Sequence, residues 1–328
     1  MNMKAIVYRS YGSPDVLRYE DVDKPTAGDN EVLIRVNVAS VNPLDWHFMR
    51  GKPYVMRLGA GVRKPNWTRL GVDVAGQVEA TGRSVTRFKP GDQVFGGCRG
   101  AFAEYVCTSE SRLISKPEGV TFEQAATVPV AAFTALQGLR DKGRIQPGQH
   151  VLVNGAAGGV GTFAVQIAKS FGTHVTGVCS TANVEMVRSI GADQVIDYTH
   201  DDFTTRRQQY DLLLDCIGNR SLFSCVSAVT PRGTYVVVGG PDGRWLGPLA
   251  HLMGALALSP FVSQRVVAFI AKPNQDDLAT VCELMTSGKL APVIGRRYRL
   301  CEAADAIRYL ETGHARGKVV VTMNGDIR

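Results

Sequence analysis

No two of the seven cysteines (98, 107, 179, 216, 225, 282 and 301) form a C-x-x-C pair, and an odd count completes no disulfide framework. Free thiols in a reducing, cytoplasmic compartment are therefore expected. The opening Met-Asn-Met-Lys-Ala-Ile-Val-Tyr lacks the apolar core of a secretory signal. The longest apolar stretch, residues 245–262, holds two prolines, two glycines and a histidine, which argues against a membrane span. It reads as a buried helix or the lining of an apolar pocket. Internal repeats and low-complexity tracts are also missing. The net charge is +7, from 37 Lys+Arg against 30 Asp+Glu, and such a balance favours anionic partners. The basic residues nonetheless read as scattered. Their densest cluster, Arg296, Arg297 and Arg299, reads as a solvated face, and no nucleic-acid partner is expected. Paired carboxylates, a Ser-His-Asp order and a Cys-His couple do not stand out.

What is there is most concentrated in residues 150–161, His-Val-Leu-Val-Asn-Gly-Ala-Ala-Gly-Gly-Val-Gly. A short apolar run ends in a turn of small residues. Val160, Phe163, Ala164, Ile167, Ala168 and Phe171 then recur at the spacing of a helix stripe. Strand, glycine turn and helix are the setting that a dinucleotide fingerprint requires. Ala156, Gly158 and Gly161 fill its three positions, alanine standing where the first glycine is usual. Gly158 lets backbone approach a pyrophosphate and Gly161 lets the helix pack closely. The N–H groups of Gly159, Val160 and Gly161, at the positive end of the helix, hold the phosphates.

A chain of 328 residues allows about two domains. The first third reads as short strands at 4–9, 17–22, 32–39, 73–79, 93–95 and 103–107, punctuated by Gly, Pro, Asp and Asn, as in a β-barrel. Near residue 121 the pattern changes. Thr121-Phe-Glu-Gln124 is a capping box for a helix in the region 123–139. Strands at 150–155, 174–179, 194–197, 211–216 and 233–239 then alternate with helices near 159–171, 183–191 and 219–229, which implies a parallel, doubly wound sheet. Residues 265–270 add an edge strand whose apolar face suits a two-fold partner, hence a homodimer. Helices at 274–287 and 302–312 and a strand at 318–322 return to the first domain.

In NAD-preferring folds a carboxylate at the end of the second strand accepts from the ribose 2′-OH. Here His174-Val-Thr-Gly-Val-Cys179 is followed by Ser180, Thr181, Ala182 and Asn183. Hydroxyl and amide donors there suit a 2′-phosphate and point to NADPH. Ser180 and Thr181 also read as a helix cap. Arg188 and Tyr198 are further candidates for contact.

With these parts in order, the chain resembles the medium-chain dehydrogenase/reductase superfamily. The resemblance spans nearly the whole chain. It is carried by Lys4-Ala5-Ile6-Val7, by residues 39–46 (Ala-Ser-Val-Asn-Pro-Leu-Asp-Trp) and by Leu70-Gly71-Val72-Asp73-Val74-Ala75-Gly76. It continues through Gly100-Ala101-Phe102-Ala103-Glu104-Tyr105-Val106, residues 129–136 (Pro-Val-Ala-Ala-Phe-Thr-Ala-Leu) and Gly317-Lys318-Val319-Val320-Val321. It implies an α/β fold, with a GroES-like β-barrel catalytic domain (1–124 and 273–328) and a Rossmann doubly wound parallel sheet (125–272).

Zinc alcohol dehydrogenases of this superfamily carry a cysteine just after the third strand and a Gly-His-Glu segment downstream. This chain has Val41-Asn42-Pro43 and Gly71-Val72-Asp73 in those places, and only Cys98 and Cys107 in the region of a structural-zinc lobe. A zinc site needs about three Cys, His or carboxylate ligands, so no zinc is expected. The branch it resembles is the zinc-free, zeta-crystallin-like quinone oxidoreductases and their enone-reducing relatives. That likeness implies hydride transfer from NADPH to a quinone, or to the β-carbon of an enone or 2-alkenal, with a small apolar conjugated molecule as acceptor. Carbonyl or alcohol oxidoreduction is the alternative reaction. Non-catalytic NADPH or RNA binding, as zeta-crystallin relatives combine, is the alternative of another class.

By the same resemblance Asn42 and Thr134 lie beside the nicotinamide, although Asn42 reads equally as an Asn-Pro turn. Tyr54 either stacks on or protonates the acceptor, or is a plain core aromatic. His47 suits proton donation near neutral pH but reads first as a surface histidine. Protonation is otherwise left to solvent. Gly218, Gly239, Gly240 and Lys318 carry over as cofactor contacts. Ala182 stands where several relatives have arginine, which leaves dual cofactor use open.

Overall fold

The computed structural model describes residues 1–206, 208–240 and 248–323. Residues 245–247, the start of the apolar stretch, lie outside them. Seven strands come first: β1 (Asn2–Val7), β2 (Arg18–Asp23), β3 (Glu31–Val41), β4 (Asp73–Thr81), β5 (Gln93–Gly97), β6 (Tyr105–Ser109) and β7 (Leu113–Ser115). Six follow: β8 (His150–Asn154), β9 (His174–Cys179), β10 (Gln194–Asp197), β11 (Tyr210–Asp215), β12 (Val229–Val237) and β13 (Arg265–Ala268). β14 (Ile294–Arg299) and β15 (Lys318–Thr322) close the series.

The chain divides into two compact units. The first comprises Met1–Val130, Pro273–Ser287 and Pro292–Arg328. Its main sheet runs β14-β15-β3-β4-β5-β7 with β6 paired to β3, and β1 and β2 form a separate antiparallel pair. β3 is the hub, antiparallel to β15, β4 and β6 at once. Its β-branched Val32, Ile34, Val36 and Val41 are buried with Phe102, Val106 and Val319. Register shifts at Leu33/Ile34 and Val36/Val38 bend it, as bulges do where a sheet curls. β14 had no counterpart in the sequence reading, because Ile-Gly-Arg-Arg-Tyr-Arg has little apolar alternation. It is a charged edge strand. Arg297 pairs with Glu123 at 2.8 Å, Arg299 with Glu302 at 2.7 Å, and Arg296 lies 3.8 Å over the Tyr309 ring.

The second unit comprises Ala131–Lys272 and Gly288–Ala291. Its six strands are all parallel, in the order β10-β9-β8-β11-β12-β13. Counted from β8 this is 3-2-1-4-5-6, the doubly wound dinucleotide order. The helix Gly159–Ser170 buries Phe163, Ala164, Ile167 and Ala168, as its stripe predicts, each large apolar side chain contributing about 2 kcal/mol.

Two expectations need correction. The helix expected at 123–139 is broken. The Thr121–Gln124 capping box is present (3.1 and 2.9 Å), but the helix it starts ends at Ala126. Pro129, with no N–H to give, opens a new helix, Pro129–Leu136, which runs into a wider turn over Gln137–Lys142. The apolar stretch forms the helix Pro248–Leu258, which is not wholly buried. Ala255 and Leu258 enter the core while Met253 and Leu256 are exposed.

Candidate functional site

The second unit gathers most of the predicted cofactor residues at the C-terminal edge of its sheet. Strand order reverses between β8 and β11, and in open α/β sheets ligands bind at such a switch point. The tight turn after β8 is made by Gly155 (φ +85°), where a Cβ would also meet Ile217 at 2.6 Å. Ala156 has ordinary backbone, which is why alanine is tolerated one position later. Its N–H donates to Val178 O at 2.9 Å. At Gly161 a Cβ would lie 2.0 Å from Gly155 O and 2.8 Å from Ala156 Cα, so only glycine lets helix and turn meet. At Gly158 a Cβ would find nothing nearer than 3.4 Å. A side chain there would make only ordinary contact with the turn, and no side chain caps the helix that Gly158, Gly159 and Val160 begin. This geometry fits a pyrophosphate.

The loops after β11 and β12 lie against each other here. Gly218 (φ +70°) approaches Gly240 so closely that a Cβ would be 2.7 Å from its Cα, and one on Gly239 would be 2.1 Å from Cys216 O. The residue that binds these parts together is Asp215, fully buried at the end of β11. It accepts from Asn154 Nδ2 (2.8 Å), Gly218 N (2.9 Å), Ile217 N (3.1 Å) and Tyr235 Oη (2.9 Å). Its role went unread, although an aspartate ending Leu-Leu-Leu-Asp was the available signal.

At the end of β9, Ser180 Oγ accepts from Asn183 Nδ2 at 3.1 Å, and Thr181 is exposed. Tyr198 is pinned alongside by its N–H to Cys179 O (3.0 Å). One carboxylate arrives that strand order alone reveals: Asp197, ending β10, next to Cys179 in register. Hydrogen bonding from Thr181 and Thr199 holds its carboxyl below the usual range. Arg188 is spent on Glu185 at 2.8 Å. Thr134 is half-buried in the helix Pro129–Leu136.

The first unit holds a second polar constellation, entirely buried. Asn42 follows β3 and caps the helix Pro43–Arg50. Its Oδ1 accepts from Lys318 Nζ at 2.7 Å, and its Nδ2 donates to Asp73 Oδ2 at 2.8 Å. Asp73 also accepts from Ser40 Oγ (2.8 Å) and Val130 N (3.1 Å), and its carboxylate stands 3.6 Å from the Lys318 ammonium. Burial pushes the Asp73 carboxyl up and the Lys318 ammonium down, and each group's charge counters the shift in the other. Asp45 accepts from Asn42 N (2.8 Å) and Gly71 N (2.9 Å). Burial pushes it up to about 7, with Asp73 adding to the shift. Asn42 thus has both ends of its amide committed, and Lys318 is committed to Asn42 and Asp73. Asp73 and Ser40 were not singled out, because their partners are remote in sequence, nor was Asp45, whose second partner Gly71 lies 26 residues away. His47 and Tyr54 are outside this cluster. His47 Nδ1 is 2.8 Å from Lys52 O with its ring 3.7 Å from Trp46, and Tyr54 lies under Arg57 at 4.7 Å.

Among the described residues no group of three His, Cys, Asp or Glu side chains is placed to hold a metal. The donor set around Asp73 does not fit a tetrahedral zinc either, since a protein ammonium already faces the carboxylate.

Fold and site together define an NAD(P)H-dependent oxidoreductase built from a GroES-like part and a Rossmann part. Residues 28–118 match the alcohol dehydrogenase GroES-like domain, and residues 190–321 match a family described as zinc-binding dehydrogenase. The mouse mitochondrial NAD(P)H oxidoreductase RTN4IP1 is 33% identical over 98% of this chain and 89% of its own length. The chloroplastic NADPH-dependent alkenal/one oxidoreductase of Arabidopsis thaliana is 35% identical over 97% and 79%. The solved quinone oxidoreductase of Coxiella burnetii superposes with a TM-score of 0.88 at 31% identity, covering 99% of this chain and all of that one. The chain belongs to the medium-chain dehydrogenase/reductase superfamily, among its quinone oxidoreductases and enone reductases. Among the described residues no helix is long and apolar enough to cross a membrane.

Proposed function

We propose that this protein is a zinc-independent reductase that uses NADPH to reduce quinones or the activated C=C bonds of enones and 2-alkenals. The observation that carries this reading is the Lys318–Asn42–Asp73 cluster. It supports a reaction without zinc, because an ammonium and an amide already engage the Asp73 carboxylate that a metal would need as a ligand. Conjugated acceptors suit such a reaction, because they spread the developing negative charge themselves.

NADPH, when bound, supplies the hydride. The unit Ala131–Lys272 with Gly288–Ala291 takes the cofactor, and the unit Met1–Val130, Pro273–Ser287 and Pro292–Arg328 takes the acceptor, the boundary falling six residues later than the expected 124/125. Backbone N–H groups of Gly159, Val160 and Gly161 hold the pyrophosphate over Gly158, whose own N–H is given to Gly155 O (3.0 Å), beside the close-packed Ala156. Ser180, Thr181 and Asn183 take the 2′-phosphate, with Tyr198 against the adenosine. Gly218, Gly239 and Gly240 give the nicotinamide room, and Thr134 orients it. Asn42 and Lys318, buried and committed to each other and to Asp73, are positioning residues rather than contacts of cofactor or acceptor. Tyr54 and His47 line the acceptor entrance, and solvent supplies the proton. The exposed Ile270 beyond edge strand β13 suits a homodimer, and seven unpaired cysteines suit a reducing cytoplasm.

The test follows NADPH and NADH oxidation with 1,4-benzoquinone, 2-hexenal, an enone and a simple ketone, with and without chelator. The expected result is chelator-insensitive reduction of the first three with NADPH preferred. Reduction of the ketone alone, or activity that requires added zinc, would overturn the proposal.

A further inference from the structure

Residues 46–72 carry Arg50, Lys52, Arg57, Arg63, Lys64 and Arg69 and no carboxylate at all. The remainder of the chain is balanced to within one charge, so nearly all of the net +7 sits in this one segment. The basic residues are therefore not scattered. The six escape notice in the sequence because they are spread over twenty residues in ones and twos.

Both ends of the segment are tied to one buried carboxyl. Asp45 accepts from Asn42 N before it and from Gly71 N after it, so the segment leaves and rejoins the fold at the Asn42–Asp73–Lys318 cluster. Its middle is held as well. Tyr11 Oη donates to Gly61 O at 2.6 Å, and Asn66 N donates to Ala60 O at 2.8 Å. Arg50 pairs with Glu311. Among the described residues, none of Lys52, Arg57, Arg63, Lys64 and Arg69 has a carboxylate within ion-pair distance. The Arg57 guanidinium is fixed over the rings of Tyr11 (4.3 Å) and Tyr54 (4.7 Å), which position its charge without cancelling it. Arg63 and Lys64 are exposed. Arginines elsewhere commonly find partners, as Arg9 does in Glu20 and Arg308 in Asp305. A one-sign field at the mouth of a site raises the local concentration of the opposite ion.

We propose that this segment is a cationic rim of the acceptor entrance, and that it selects acceptors bearing an anionic group, a carboxylate or a phosphate, beside the conjugated system. The proposal rests on the reductase reading above. The probes are 4-phenyl-3-buten-2-one, its ring-carboxylated analogue and its ring-phosphorylated analogue, each assayed by NADPH oxidation at low and high salt. At low salt the anionic analogues are expected to exceed the neutral enone in kcat/KM by about tenfold, the advantage shrinking as salt screens the rim. The R63E/K64E variant should lower the anionic-to-neutral ratio about tenfold, with R63A/K64A in between. The two anionic arms show which anion is preferred. A ratio unmoved by both salt and R63E/K64E, with the neutral enone still reduced, overturns the rim. So does a rise in the NADPH KM with the acceptor ratio unchanged. Failure of all three acceptors overturns the reductase reading instead.

Discussion

The Lys318–Asp73 pair gives the sharpest test of the buried cluster. Their side chains are 3% and 0% exposed and 3.6 Å apart, joined through the Asn42 amide. Lys318→Met keeps the length of the side chain but leaves Asp73 without its counter-ion and Asn42 Oδ1 without its donor. Asp73→Asn leaves the ammonium unbalanced. Removing one partner of a buried pair costs about 3–5 kcal/mol, whereas removing both leaves no stranded charge. The double variant should therefore be more stable than the sum of the singles requires, by about 2–3 kcal/mol. Urea unfolding followed by tryptophan fluorescence reads this, since Trp46 and Trp67 both lie in the same unit as the pair. The sign with pH is also fixed. Lys318 is the largest influence holding the Asp73 carboxyl down. Without it, native Asp73 binds a proton more readily than the unfolded chain does, so Lys318→Met should regain stability as pH falls. Additivity of the two singles within about 0.5 kcal/mol would refute the coupling.

Three further outcomes are expected. Asp45 is pushed up to about 7 from 3.8, so the native state keeps a proton that the unfolded chain gives up. Its contribution is complete below the unfolded value and is lost as pH rises through about 7, so Asp45→Asn should flatten the fall of Tm across that window. An unchanged slope would refute the assignment. Gly158→Ala should leave stability within about 0.5 kcal/mol of the parent yet weaken NADPH binding by calorimetry, because its Cβ makes only ordinary contact with the turn but crowds the pyrophosphate. Gly161→Ala should instead cost about 1–3 kcal/mol, because its Cβ meets backbone. Equal effects would count against the cradle. Asp197→Asn should raise the ratio of NADPH to NADH in kcat/KM several-fold by removing a carboxylate from beside Thr181; a fall would show that Asp197 helps to hold the phosphate.

Local pattern alone determined a good deal about this protein. The glycine turn at 155–161, the stripe of the following helix and the alternation from β8 to β13 are short-range signals, and each dictates its own backbone. Hence the parallel sheet and its turn were legible, as were the family and the class of cofactor. The broken helix at 122–136 and the charged strand β14 were harder, since a single proline or a lack of alternation defeats periodicity. Tertiary structure decided what involves partners far apart in the chain. Lys318 meets Asn42 across most of the sequence, Asp215 ties the end of β8 and Tyr235 of β12 to its own following loop, and Asp197 reaches Thr181 only because β10 lies beside β9. Burial then sets the chemistry of those groups. A sequence states that an aspartate or a lysine is present. Only the packed fold determines whether that charge is exposed to water, matched by a counter-ion as Arg50 is by Glu311, or, as for Arg63 and Lys64, exposed with no carboxylate in reach among the described residues.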